Sequence, residues 1–121
     1  MKALTIDDSQ TVRTLVRNIL EENKFEVLEA INGAEGLKVI EVNKDIDVIF
    51  LDWEMPVMDG YGFLSKVRSE KLADNSRIIM LTTLNKMTNI LQAIDAGADE
   101  YLMKPFTPEM VMEKIDSVLS T

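Results

Sequence analysis

Two adjacent carboxylates, Asp7 and Asp8, directly follow the apolar run Lys2-Ala3-Leu4-Thr5-Ile6, and a third, Asp52, closes the run Ile46-Asp47-Val48-Ile49-Phe50-Leu51. Short apolar runs of this kind read as buried β-strands. In a parallel sheet the strand ends of one polarity open into one crevice, so the three acids are expected to converge. Three unpaired carboxylates a few ångströms apart repel strongly in a low-dielectric cleft unless a cation lies among them. A hard divalent ion with oxygen ligands suits that set, and Mg2+ is the first choice. Such an ion beside one reactive aspartate makes a site for phosphate chemistry. Thr82 and Lys104 stand at two further strand ends and add a hydroxyl and an ammonium.

Each of these residues alone has a commoner explanation. Acids favour the first turn of a helix, so Asp7-Asp8 suits an ordinary capping turn. Asp52 suits a strand-to-loop junction, Thr82 is β-branched and suits a strand end, and most lysines are solvated, as Lys104 would be. What outweighs these readings is the shared position. An acid pair, a lone acid, a hydroxyl and a lysine all fall at the C-terminal ends of the first, third, fourth and fifth strands, on one rim. The second strand ends in Ala30-Ile31-Asn32, which reads as a plain connection.

The elements that must position these groups alternate strictly. Val12, Leu15, Val16, Ile19 and Leu20 recur as one buried helix face. Glu26 to Ala30 is a second strand, and Asn32-Gly33-Ala34-Glu35 is a capping box opening a helix to about Val42. The third strand, Ile46 to Leu51, is almost continuously apolar, as expected where both faces are covered. Asp59 caps a helix that turns Phe63, Leu64 and Val67 inward. Ile78 to Leu81 forms a fourth strand ending at Thr82-Thr83, and Met87, Ile90, Leu91 and Ile94 mark a helix stopped by Gly97. Glu100 to Met103 is a fifth strand, and Thr107 with Pro108 opens a last helix carrying Val111, Ile115, Val118 and Leu119. Five βα units predict one α/β domain over 1–121, flavodoxin-like, doubly wound, with parallel strand order 2-1-3-4-5.

Composition narrows the chemistry. The 121 residues, 46% of them hydrophobic, suffice for one globular core. Cysteine and histidine are both absent, so neither a thiol nucleophile nor an imidazole base is available. The lack of disulfides fits a reducing cytoplasm. A net charge of −8, without a basic cluster, argues against direct nucleic acid binding. No apolar stretch is long enough to span a bilayer, and no signal peptide is apparent.

Over essentially its whole length the chain resembles the receiver domain of two-component response regulators. The resemblance is carried by Asp7-Asp8, Asp52, the loop Met55-Pro56-Val57-Met58-Asp59-Gly60, Thr82 and Lys104-Pro105. Trp53, directly after Asp52, makes it most similar to the chemotaxis CheY branch. The resemblance implies that Asp52 accepts a phosphoryl group from a phosphohistidine on a sensor histidine kinase. It implies Mg2+ ligation by Asp8 and Asp52, by Asp7 through water, and by the backbone carbonyl of Glu54. Thr82 would hydrogen-bond the phosphoryl group and Lys104 would pair with it. Tyr101 would rotate inward as Thr82 moves, and the Lys104-Pro105 bond is expected to be cis. Self-phosphorylation and autodephosphorylation would be intrinsic, Mg2+-dependent properties rather than enzyme turnover. With no output domain after the last helix, a monomeric diffusible messenger is implied, acting on a downstream protein such as a flagellar motor switch component, or as an intermediate in a phosphorelay.

Three positions depart from the usual chemotaxis pattern. Thr83 is bulkier than the small residue common there, while Glu54 and Leu84 replace residues that often flank the attacking water. They bear on how long the phosphorylated form lasts. Rival readings remain at this stage. A flavin carrier shares the fold, but Asp7-Asp8-Ser9-Gln10 would repel its phosphate. A haloacid-dehalogenase-type phosphatase shares the chemistry, but wants Asp-x-Asp after the first strand. A phosphorylation-independent adaptor is the third. The eight methionines read as core filler.

Overall fold

Alternating side chains divide each central strand between two cores, which is why five strands and five helices form three layers. The computed structural model describes residues 1–55, 57–83 and 87–120, with only the main chain of Met87 and Thr88. Pro56, Leu84 and the Met87 side chain lie outside the described residues. The strands are β1 (Lys2–Ile6), β2 (Glu26–Ala30), β3 (Val48–Asp52), β4 (Arg77–Thr82) and β5 (Glu100–Met103). They form one parallel sheet in the expected order β2-β1-β3-β4-β5. Along β3, Val48 and Phe50 join one core while Ile49 and Leu51 join the other. Both faces are therefore apolar, and the strand has no alternation to show.

The helices are α1 (Gln10–Glu22), α2 (Gly33–Val42), α3 (Gly60–Ser69), α4 (Met87–Ala96) and α5 (Pro108–Leu119). α1 and α5 cover one face through Val16, Ile19, Leu20, Val111, Ile115 and Val118. α2, α3 and α4 cover the other through Ile40, Phe63, Leu64, Val67 and Ala93. Ser9, Asn32, Asp59 and Thr107 each cap a helix with a side-chain oxygen. Asn32 accepts from the Glu35 N–H as expected, but the Glu35 carboxylate turns to Lys38 at 3.3 Å. No described helix is long and apolar enough to cross a membrane.

Three expectations are corrected. β3 starts at Val48 rather than Ile46, although Ile46 remains buried, its carbonyl accepting from Ser76 Oγ at 2.6 Å. Asp52 is accordingly the last strand residue, paired with Leu81, rather than the first beyond the strand. Leu15 is exposed, because the buried stripe of α1 runs through Val16, Ile19 and Leu20, leaving Leu15 on its flank. On α4 the buried stripe runs through Ile90 and Ala93, so Leu91 and Ile94 face outward. The small Ala93 side chain is fully buried, and the apolar spacing alone did not mark it.

Two glycines hold the layers at short range. Gly97 ends α4 at φ +115°, with its N–H on the Ile94 carbonyl and the Ala98 N–H on the Ala93 carbonyl, a left-handed C-terminal cap. Gly60 opens α3 directly against the end of β3. Its N–H donates to the Trp53 carbonyl at 3.0 Å, and a Cβ there would stand 2.6 Å from the Asp52 carbonyl oxygen. Main chain cannot yield as a side-chain tip can. Gly60→Ala should therefore destabilise the fold by about 1–3 kcal/mol, read by urea unfolding. Gly62→Ala, whose Cβ would press only on the Asp59 carboxylate and which gains helix propensity, should stay within about 1 kcal/mol. Equal effects at the two positions would refute the close approach of α3 to β3.

Candidate metal and phosphoryl site

The parallel sheet brings the C-terminal ends of β1, β3, β4 and β5 together, and the expected groups with them. Asp7 follows β1 and is 1% exposed; Asp52 ends β3 and is 6% exposed. Asp8 is exposed at the mouth. One carboxylate oxygen from each lies within 4.8 Å of the others. The capping explanation for the acid pair fails here, because Ser9 caps α1 by accepting from the Val12 N–H at 3.3 Å. Asp7 is held otherwise: its Oδ1 accepts from the Ser9 N–H at 2.9 Å, and its own N–H donates to the Ala30 carbonyl at 3.1 Å.

Lys104 reaches into this cluster from the far edge of the sheet. Its Nζ stands 3.1 Å from Asp7 Oδ2 and 3.2 Å from Asp52 Oδ1. Two of the three acids are thus ion-paired, which corrects the expectation that all three lack a partner. The Lys104 backbone N–H donates to the Thr82 carbonyl at 2.8 Å, and the Lys104-Pro105 bond that follows is cis, as expected. Thr82, buried at the end of β4 opposite Met103, lies beside it.

One ammonium does not balance the cluster. Burial, with the Asp7 charge next, pushes the Asp52 carboxyl up from 3.8 to about 6 despite Lys104. Burial opposes the Lys104 charge as well, but attraction from Asp52 and Asp7 together outweighs it and holds that ammonium above its usual range. The donor set fits Mg2+: the groups offered are carboxylate oxygens only, one from each acid within 4.8 Å of the others. The exposed Asp8 leaves the outer side open to water, which Mg2+ retains readily.

Asp52, Trp53, Glu54, Thr82, Thr83 and Lys104 line a cleft of about 140 Å³ beside the acids. At about 30 Å³ per molecule of liquid water, that is room for about four or five waters, or a phosphate-sized group. Glu54 and Thr83 are both exposed on its rim. Trp53 is nearly buried, its ring meeting Tyr61 edge-on at 5.9 Å, and its N–H donates to the Leu81 carbonyl. Tyr101 is not part of this cluster. It sits half-buried on β5, paired with Met80, under the Lys114 ammonium at 4.9 Å.

Sequence reading missed one residue here. Arg13, one turn into α1, donates from Nη1 to the Asp7 carbonyl at 2.7 Å and from Nε to Glu29 at 3.0 Å. Its only sequence signal is a cation six residues after an acid, on the flank of the buried stripe, which is too common to single out.

Residues 3–116 match the response regulator receiver domain family. Over the whole chain the sequence is 40% identical to a chemotaxis protein CheY homolog of Campylobacter jejuni, covering 94% of that protein. It is also 40% identical to chemotaxis protein CheY1 of Helicobacter pylori, covering 98% of it. Among solved structures, chemotaxis protein CheY4 of Vibrio cholerae superposes with a TM-score of 0.91 at 35% identity, covering 98% of both chains. The CheX–CheY–BeF3–Mg2+ complex of Borrelia burgdorferi gives 0.91 at 28% identity, covering 98% of this chain and 88% of that one. With its five acid, hydroxyl and ammonium groups gathered on one rim of a 2-1-3-4-5 sheet, the chain belongs to the response regulator receiver family.

Proposed function

We propose that residues 1–121 form a single receiver domain that takes a phosphoryl group onto Asp52 from a phosphohistidine of a sensor histidine kinase and then changes its affinity for a downstream protein. The observation that carries this is Asp52 itself: a nearly buried strand-end carboxylate at the junction of an acid cluster and a phosphate-sized cleft. The names of its full-length relatives support chemotaxis as the setting, with a flagellar switch component as the target. The family match supports neither the flavin-carrier nor the phosphatase reading.

Asp7, Asp8 and Asp52, with the Glu54 carbonyl, would hold Mg2+. Bound there, it supplies the positive charge that lets a carboxylate approach an anionic phosphoryl centre. The chain's own residues do the rest. Asp52 Oδ supplies the electron pair that forms the new O–P bond, while the bond from phosphorus to the donor nitrogen or oxygen breaks and leaves with its electrons. Lys104, now bonded to Asp7 and Asp52, exchanges one partner for a phosphoryl oxygen, so its charge is never left unpaired. The Thr82 hydroxyl turns to donate to another. A charge-assisted hydrogen bond of this kind is worth about 1.5–3 kcal/mol, which shifts a balanced two-state surface more than tenfold. Tyr101, one strand over, follows Thr82 inward and alters the surface of α4, β5 and α5.

The test is labelling from acetyl phosphate. One phosphoryl group should enter in the presence of Mg2+ or Mn2+, none in chelator, and none in Asp52→Asn; equal labelling of Asp52→Asn sinks the assignment.

The rim residues set the lifetime of the phosphorylated form. Thr83 projects into the outer side of the cleft beside Glu54, where a water attacking phosphorus would enter. Thr83→Ala should speed loss of phosphate by roughly threefold, the equivalent of about 0.6 kcal/mol, while uptake and Mg2+ binding stay nearly unchanged. The phosphorylated fraction is followed after donor removal, and an unchanged or slower decay means that Thr83 only closes the strand end.

A further inference from the structure

We infer that Arg13 is a positioning residue for the cation site, fixing the peptide that joins Asp7 to Asp8. This rests on the reading of Asp7, Asp8 and Asp52 as a Mg2+ site. The carbonyl that Arg13 binds at 2.7 Å belongs to that peptide unit, so the bond restrains the torsions on either side of it. Those torsions set where the two carboxylates stand relative to each other. The other constraints hold the Asp7 N–H on Ala30 and the Asp7 carboxylate on the Ser9 N–H and Lys104, and of these the Ser9 contact also spans Asp8. Asp8 is exposed, and Arg13 adds a direct hold on the carbonyl of the peptide that carries it.

The guanidinium is itself built in rather than free to wander. Its side chain is 13% exposed, and Nε donates to Glu29 Oε1 at 3.0 Å. Glu29 is held from the other side by Arg17, whose Nε lies 2.9 Å from Oε2 and whose Nη2 donates to the Val27 carbonyl at 3.1 Å. The line Arg17, Glu29, Arg13, Asp7 carbonyl therefore runs from α1 across β2 to the first strand end. A planar fork held by Glu29 at one edge orients the carbonyl at its other edge in a way that a single point charge does not.

Charge and position make opposite predictions at Arg13, which is what makes the inference testable. A cation beside a cation site opposes binding through space, so on charge alone Arg13→Met would bind Mg2+ more tightly. On positioning, Arg13→Met loses about tenfold in Mg2+ affinity, the usual scale for removing a group that orients a ligand. Arg13→Lys, which keeps the charge and one donor but not the fork, should fall between, about two- to fivefold weaker. Arg17→Met touches the same Glu29 but not the Asp7 carbonyl and should stay within about twofold. Mg2+ is titrated calorimetrically into metal-free protein, and exchange of the Ser9 amide, which reports the Asp7 side chain, is measured beside it. Faster Ser9 exchange with weaker binding in Arg13→Met supports the inference. Equal or tighter binding in Arg13→Met overturns it, as does unchanged binding in Arg13→Lys should the Met variant not fold. A wild-type protein that binds no Mg2+ instead removes the cation site itself, and this inference with it.

Discussion

The structure turns on a charge deficit at one end of the sheet. Three carboxylates, two of them buried, face one ammonium, an excess of two negative charges that a divalent cation would cancel. Burial first, and the Asp7 charge next, raise the Asp52 carboxyl to about 6 although Lys104 stands beside it. A shift of that size corresponds to about 3 kcal/mol against the ionised form, as large as a strong buried hydrogen bond and a sizeable part of a small domain's stability. The sign follows directly: the folded, metal-free protein binds this proton more tightly than the unfolded chain. It therefore loses stability as pH rises from about 4 toward about 6, with no further loss from this group above that.

The parallel sheet is what brings the acids to one rim. Adjacent β1 and β3 bring Asp7 and Asp52 side by side, and β4 and β5 carry Thr82 and Lys104 to the same rim. Gly60 lets α3 begin hard against the Asp52 carbonyl, so the strand end cannot splay. The opposite pole is tied differently. Arg68 on α3 donates to the carbonyls of Ala73, Ser76 and Gly97 and to Asp99, which in turn accepts from the Ile78 N–H. Satisfied polar groups anchor one end of the sheet, leaving the costly charge cluster at the other.

The fold and the acid rim were both legible in the sequence, for physical reasons. Strand ends in a βα chain are marked by where apolar runs stop, and a single strand order brings those stops together, so Asp7, Asp8, Asp52, Thr82 and Lys104 could be named before their distances. Caps were legible too, since Asn32, Asp59 and Thr107 act through their own backbone neighbours. What sequence could not give is which partner a long side chain chooses. Lys104 reads as a group awaiting an anion, yet it pairs with two acids, and Arg13 reads as a flank residue, yet it grips the Asp7 carbonyl. Helix faces failed where a small residue sets the approach: on α4 Ala93 is buried beside Ile90, while Leu91 and Ile94 face outward.

If the cluster lacks positive charge that Mg2+ would supply, the titration of the Asp52 carboxyl shows it most directly. Followed by carbon NMR in chelator, Asp52 should titrate near 6. With saturating Mg2+ the midpoint should fall below the ordinary 3.8, because the ion favours the carboxylate, and Mg2+ affinity should correspondingly weaken as pH drops through about 6. A metal-free midpoint at 3.8 or below, or one that Mg2+ leaves in place, would contradict the account.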